Sequence, residues 1–193
     1  TGQNYVGAVL GYGRVNEMEG INNHIKGYTN VGGISGYAYT NNGNSTTRNC
    51  IIEGAGSNIG GIAGWHDSLF NVRVYDSKIY GTGVTSNYVG RIGGYGQASV
   101  RNGLVENCDI STSGSYVGGI NGYRGVHTSA VINTTIEGYS EVGGIAGRIE
   151  SYESQVDNTY VNAEINGIAH SVGGIVGYVN NTYDSASRTS AVK

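Results

Sequence analysis

The sequence predicts an all-β fold, a parallel β-helix of about seven coils, and three observations carry that prediction. A motif of the form VGGIxGY recurs along the chain every 25 to 30 residues. Ile and Val supply 38 of the 193 residues while Leu occurs three times, and β-branched side chains suit a pleated surface better than a helix. Gly occurs 35 times, much of it in fixed columns of the motif, and Pro is absent.

The first element is the motif itself. YVGAVLGY, NVGGISGY, NIGGIAGW, YVGRIGGY, YVGGINGY, EVGGIAGR and SVGGIVGY place their first apolar residue at positions 6, 31, 59, 89, 117, 142 and 172. Two Gly columns are invariant: Gly7, Gly32, Gly60, Gly90, Gly118, Gly143 and Gly173, then Gly11, Gly36, Gly64, Gly94, Gly122, Gly147 and Gly177. Gly costs entropy in a strand, so each column needs either φ > 0 or a neighbour too close for a Cβ. Between the Gly columns runs an apolar one: Val9, Ile34, Ile62, Ile92, Ile120, Ile145 and Ile175.

The second element is a half-motif between the copies: NNHI, NCII, DSKI, NCDI, NTTI and NTYV. Its Asn column is Asn22, Asn49, Asp76, Asn107, Asn133 and Asn158, and three residues on come Ile25, Ile52, Ile79, Ile110, Ile136 and Val161. A small column lies between them: Asn23, Cys50, Ser77, Cys108, Thr134 and Thr159. Asn followed by alternation reads as a turn and then a strand with the small residue and the Ile facing inward. Cys50 and Cys108 share a column two coils apart, about 9.6 Å, so no disulfide between them is expected.

Each unit thus carries two or three short strands that cannot bury an apolar face alone, and stacking the units buries a continuous core. Propeller blades need longer units and leucine-rich repeats need Leu columns, which leaves the β-helix, right-handed by crossover sterics. Residues 1–193 are expected to form one solenoid, roughly 34 Å tall at the strand spacing. Variable insertions at 39–47, 66–71, 81–87 and 111–115 are expected to be corner loops, and Gly114 is expected to tolerate substitution.

Stacking aligns candidate functional residues. Tyr12, Tyr37, Trp65, Tyr95, Tyr123, Arg148 and Tyr178 follow the second Gly and should form a ladder. Such a ladder either stiffens one face or offers a ligand-binding platform, with Arg148 as a cation–π member. The Asn column is expected to bond coil to coil. Glu53 and Glu137 share a column three coils apart, roughly 14 Å, too far for a glycosidase carboxylate pair at about 5 to 9.5 Å. Glu150 and Glu153 share a loop with no second element placed beside them, and His66–Asp67 reads as a solvated loop. No metal-ligand spacing, cofactor motif or catalytic constellation is found.

A net charge of −3 with 13% charged residues supplies no basic stripe for nucleic acid, and no run is long and apolar enough for membrane insertion. The chain opens TGQNYVG, which reads as a mature or excised fragment, and stops at SRTSAVK where a seventh half-motif is due. Flanking coils of a longer polypeptide, or end-to-end copies forming a fibre, are therefore the expected partners.

The VGGIxGY core followed by half-motifs such as VENCDI resembles the GLUG repeat over nearly the whole chain. Ala8 and Arg91, at the middle Gly, depart from the pattern. GLUG repeats occur in bacterial surface proteins and in the non-catalytic N-terminal regions of immunoglobulin-A protease-like metallopeptidases. The resemblance implies an extracellular or cell-wall-attached, non-catalytic structural or adhesive segment, with host glycan or protein as further partners. It does not carry over peptidase activity, since HExxH is missing. The alternative function is a carbohydrate-binding module using the stacked aromatic face; a polysaccharide-degrading β-helix is a third reading without a carboxylate cluster behind it.

Overall fold

A computed structural model describes residues 3–39, 42–150 and 155–180. All its regular elements are β-strands, and every pairing between them is parallel, as the repeat predicts. The strands form four sheets along a solenoid. The first holds seven strands from Asn4–Gly7 to Val172–Gly173, and the second seven from Leu10–Gly13 to Val176–Asn180. A third, five-stranded sheet contains Leu69–Phe70 and Val126–His127. The fourth has ten strands and carries the half-motif. Six coils are complete, and the seventh motif contributes its first two strands.

Columns in sequence are columns in space. Val6, Val31, Ile59, Val89, Val117, Val142 and Val172 pair in one unbroken register. Inside, two apolar stacks run along the axis. One gathers Ile34, Ile62, Ile92, Ile120 and Ile145 with Leu69, Val74 and Val105; the other gathers Val31, Ile59 and Val89 with Ile25, Ile52, Ile79, Ile110 and Ile136.

The glycine columns exist because there is no room. Among the described residues no Gly takes a positive φ. A Cβ on Gly32, Gly60, Gly90 or Gly118 would lie 2.0–2.1 Å from the carbonyl oxygen three residues on. On Gly36, Gly64 or Gly147 it would lie 2.2–2.4 Å from the backbone carbon of Tyr5, Asn30 or Tyr116 in the preceding coil. Gly114 is equally tight, 1.9 Å from the Ser86 oxygen, so the tolerance expected of that loop glycine is reversed.

The left-handed backbone sits instead at the corners, on polar or aromatic residues. One corner is Asn22, Asn49, Asp76, Asn107 and Asn133; a second is Glu17, Asn44, Asn71, Asn102, Thr128 and Asn158; a third is Tyr5, Asn30, Asn58, Tyr88, Tyr116, Glu141 and Ser171. Asn is enriched because its short side chain tolerates this region and bonds locally.

Three further expectations change. In the sixth coil Asn158, Thr159 and Val161 do not continue the half-motif. Val161 pairs with Val131, and Ile165 pairs with Ile136. The true sixth copy is Asn162–Ala163–Glu164–Ile165, with Asn162 Nδ2 donating to Asn133 Oδ1 at 3.3 Å. Two corners share an Asn-small-x-apolar pattern, and NTYV belongs to the other one. Secondly, His66–Asp67 is not a solvated loop: His66 is fully buried in a strand, and Leu69 is buried in the third sheet. Thirdly, Arg91 does more than disturb one coil. Its side chain is wholly buried and Nη2 donates to the carbonyls of Cys108 (2.8 Å) and Thr135. Burial pulls this guanidinium down to about 10.

Cys50 and Cys108 are free and buried, with Ser77 between them as expected. Of the insertion at 39–47, residues 40 and 41 lie outside the described residues, as do Glu153 and the terminal SRTSAVK.

Candidate functional site

The second sheet brings all seven ladder residues into one column. Ring centroids lie 4.8 Å apart for Tyr12–Tyr37, 4.1 Å for Tyr37–Trp65, 6.3 Å for Trp65–Tyr95 and 4.9 Å for Tyr95–Tyr123, with interplanar angles of 7–21°. Arg148 pairs in register with Tyr123 and Tyr178 and lies over the Tyr178 ring at 4.8 Å. Parallel strands with an invariant Gly before each ring produce this stack. It turns ring faces toward one another along the axis and leaves edges and hydroxyls outward. A sugar needs an exposed face.

A second aromatic row flanks the ladder at the third corner. Tyr5 meets Tyr12 and Tyr37 edge-on at 6.2 and 5.8 Å, and Tyr88 meets Tyr95 and Tyr123 edge-on at 5.3 and 5.7 Å. Tyr116 stacks on Tyr88 at 4.7 Å. In sequence this row is the residue before the first apolar residue of each motif, and it is aromatic at three of the seven copies, Tyr5, Tyr88 and Tyr116.

Arg148 anchors a charged cluster. Nη1 lies 3.1 Å from Glu141 Oε1, Nη2 contacts Glu150, and the Tyr123 hydroxyl donates to Glu150 Oε2 at 2.8 Å. Burial raises the Glu141 carboxyl above its ordinary range, with Arg148 opposing, while the Tyr123 hydrogen bond lowers Glu150. Burial, then Glu150, push Tyr123 up to about 12. Carboxylates shifted apart suggest acid–base chemistry. Here both contact one guanidinium between them, which is the geometry of an ion-pair network. The partner for Glu150 that the sequence did not place is thus Arg148 with Glu141.

Elsewhere, Glu53 and Glu137 lie in one column with Tyr80 and Ser111 between, as the spacing requires. Hydrogen bonds from His24 and Lys26 lower the Glu53 carboxyl. Amides pair from coil to coil: Asn49 Nδ2 donates to Asn22 Oδ1 (2.7 Å), Asn71 to Asn44 (3.1 Å), Asn102 to Asn71 (2.6 Å) and Asn58 to Asn30 (2.8 Å). Among the described residues no cluster of three or more His, Cys, Asp or Glu could hold a metal ion, and no helix is long and apolar enough to cross a membrane.

No known protein family, curated protein or solved structure matches this chain.

Proposed function

We propose that the chain is a non-catalytic structural segment of an extracellular bacterial surface protein, built from GLUG-type repeats. One observation carries the reading. The polar and aromatic side chains that the repeat multiplies are engaged with their own copies, amide to amide and ring to ring, with Arg148 closing the ladder against Glu141 and Glu150. A side chain held this way resists fraying between coils and has little capacity left for a reaction. Among the described residues the edge strands at Asn4–Gly7 and Val172–Gly173 each have one neighbour, which supports further coils, from the same polypeptide or from another copy, as partners.

The test uses cells carrying the parent gene and an antibody raised against the folded segment. Labelling of intact cells is expected; labelling that requires permeabilisation would overturn the surface assignment. Incubation of the purified segment with a polysaccharide panel should release no reducing ends, and release abolished by Glu150→Gln would overturn the non-catalytic assignment. Carbohydrate binding by the ladder itself is the weaker reading, because the ring faces are covered by neighbouring rings.

A further inference from the structure

The outer face of the fourth sheet sorts its charges along the solenoid axis. Its strands run from His24–Gly27 on coil one, through Lys78–Gly81 on coil three and Asp109–Thr112 on coil four, to Tyr160–Gly167 on coil six. Every Lys and Arg that this face presents, Lys26, Arg48, Arg73 and Lys78, stands on coils one to three, and all four are exposed. Glu106, Asp109, Glu137 and Glu164 stand on coils four to six, at levels that carry no Lys or Arg on this face. Glu19, Glu53 and the corner residue Asp76 bring the first half to a net charge of +1 with His24 neutral, against −4 for the second.

Most of these charges lack a partner within the chain. Among the described residues the ion pairs of this face are those of Glu53 with His24 and Lys26, while Arg73, Lys78, Glu106, Asp109 and Glu137 make none. The face also exposes apolar surface at its two ends: Ile21 on coil one is 48% exposed and Tyr160 on coil six is 58% exposed. A partner of uniform charge, such as nucleic acid or an anionic membrane, would match one half and be repelled by the other. A surface with opposite signs in its two halves is complementary to itself turned end for end.

We propose that this face binds a second copy of the chain in antiparallel orientation, about a dyad that lies in the interface, at right angles to the solenoid axis, between coils three and four. Coil one then meets coil six, coil two meets coil five and coil three meets coil four, and the isologous contact makes each pairing twice. Lys78 faces Asp109 of the other copy. Because Lys78 and Asp109 are also in register on adjacent coils, the centre is a square of alternating charge. Arg73 meets the level of Glu106, Lys26 meets the level of Glu164, and Ile21 meets the level of Tyr160, so the exposed apolar side chains are covered together. Glu53 meets the level of Glu137, and its bonds with His24 and Lys26 already neutralise it. A parallel arrangement would set the acidic half against its like. Six coils at the strand spacing give a face about 29 Å tall, and the eight residues of Tyr160–Gly167 make it about 26 Å wide, or about 750 Å² per copy. A specific interface of standard size buries about 800 Å² per partner. The contact is lateral and leaves the end strands free, so it stands or falls separately from the structural role proposed above.

Sedimentation equilibrium of the full chain at low ionic strength should show a discrete dimer with a Kd of about 10 to 100 μM, weakened about tenfold or more by salt at about 0.5 M. Lys78→Glu and Asp109→Lys each set like charges face to face and should each lower the affinity about tenfold or more. Mixed in equal amounts, the two variants should form a heterodimer about as tight as the parent dimer. In that heterodimer the introduced carboxylate of one copy faces the introduced amine of the other, and the remaining Asp109 faces the remaining Lys78. Circular dichroism melts confirm that each variant is folded, and Lys26→Glu with Glu164→Lys supplies a second complementary pair should either fail. A parent that stays monomeric at about 500 μM in low salt, a dimer unmoved by both reversals, or a mixture that stays monomeric overturns the proposal. So does an open-ended series of species insensitive to the reversals, which is the signature of end-to-end stacking.

Discussion

His66 shows how far one residue can depart from its local sequence context. Its imidazole reaches past coil four to the side chain of Asn121, with Nε2 3.3 Å from Oδ1. It can do so because position 93 is Gly, where an added Cβ would lie 2.2 Å from Nε2. Burial pulls the imidazole from 6.5 down to about 4, opposed by the Asn121 hydrogen bond and the neighbouring Asp67. The unfolded chain therefore takes up this proton first. The contribution of His66 is complete above about pH 6.5 and is lost as pH falls toward about 4, at up to about 1.4 kcal/mol per pH unit. Urea midpoints measured across that window should fall more steeply for the parent than for His66→Gln; identical slopes would place the acid sensitivity elsewhere. Asp76 is the other informative residue. Asn107 Nδ2 donates to Asp76 Oδ1 at 3.2 Å, but a carboxylate has no proton to pass on to Asn49. Asp76→Asn supplies it and should stabilise by about 1 kcal/mol, read as a raised melting temperature. An unchanged or lowered value would deny the amide ladder its energetic role.

At the scale of the element, the strand pairs are short and the glycine columns let them approach. Gly118→Val places Cβ 2.1 Å from the Asn121 oxygen, and Gly122→Val places it 2.6 Å from the Gly94 oxygen and from the Tyr88 backbone. Backbone cannot yield as a side-chain tip can, so each should cost about 3 kcal/mol or more. At Gly13 the nearest atom is Leu10 Cδ1 at 3.1 Å, and Ala38 and His66 occupy the same column on the next coils. Gly13→Ala should therefore unfold in denaturant close to the parent, and a loss equal to that of Gly118→Val would contradict the close-approach account. The fourth sheet shows what element-level reading misses. Its Asn corner carries left-handed backbone on coils one to five, yet the strand of coil six, Tyr160–Gly167, runs straight through the same level. The pattern Asn-small-x-apolar fits both corners of a coil equally well. Cross-coil pairing alone decides which copy belongs to which.

For the whole molecule, each coil contacts its neighbours above and below, and stability is close to a sum of coil and interface terms. Deleting residues 59–88 joins Asn58 to Val89, which occupy consecutive columns, and removes one full coil in register. The shortened chain should keep the parent's β-type circular dichroism and cooperative unfolding while melting at a lower temperature. Deleting 59–80 instead joins non-equivalent columns and should abolish cooperative unfolding. Equal behaviour of the two deletions would contradict a solenoid in which sequence columns are spatial columns.

Parallel stacking, the shared register of the motif, the ring ladder and the two free thiols were legible in the sequence, because a solenoid maps a periodic sequence directly onto periodic contacts. Repetition reports which residues are equivalent. It does not report why, and glycine's two possible reasons were separated by the tertiary structure, which showed crowding at the columns and left-handed backbone at the corners. The residues that interrupt the period could be seen in the sequence, but their environments could not, for the same reason. His66, Arg91 and the Arg148 cluster occur once each, and their environments include groups some 17 to 55 residues away in the chain, which become neighbours only when the solenoid is wound.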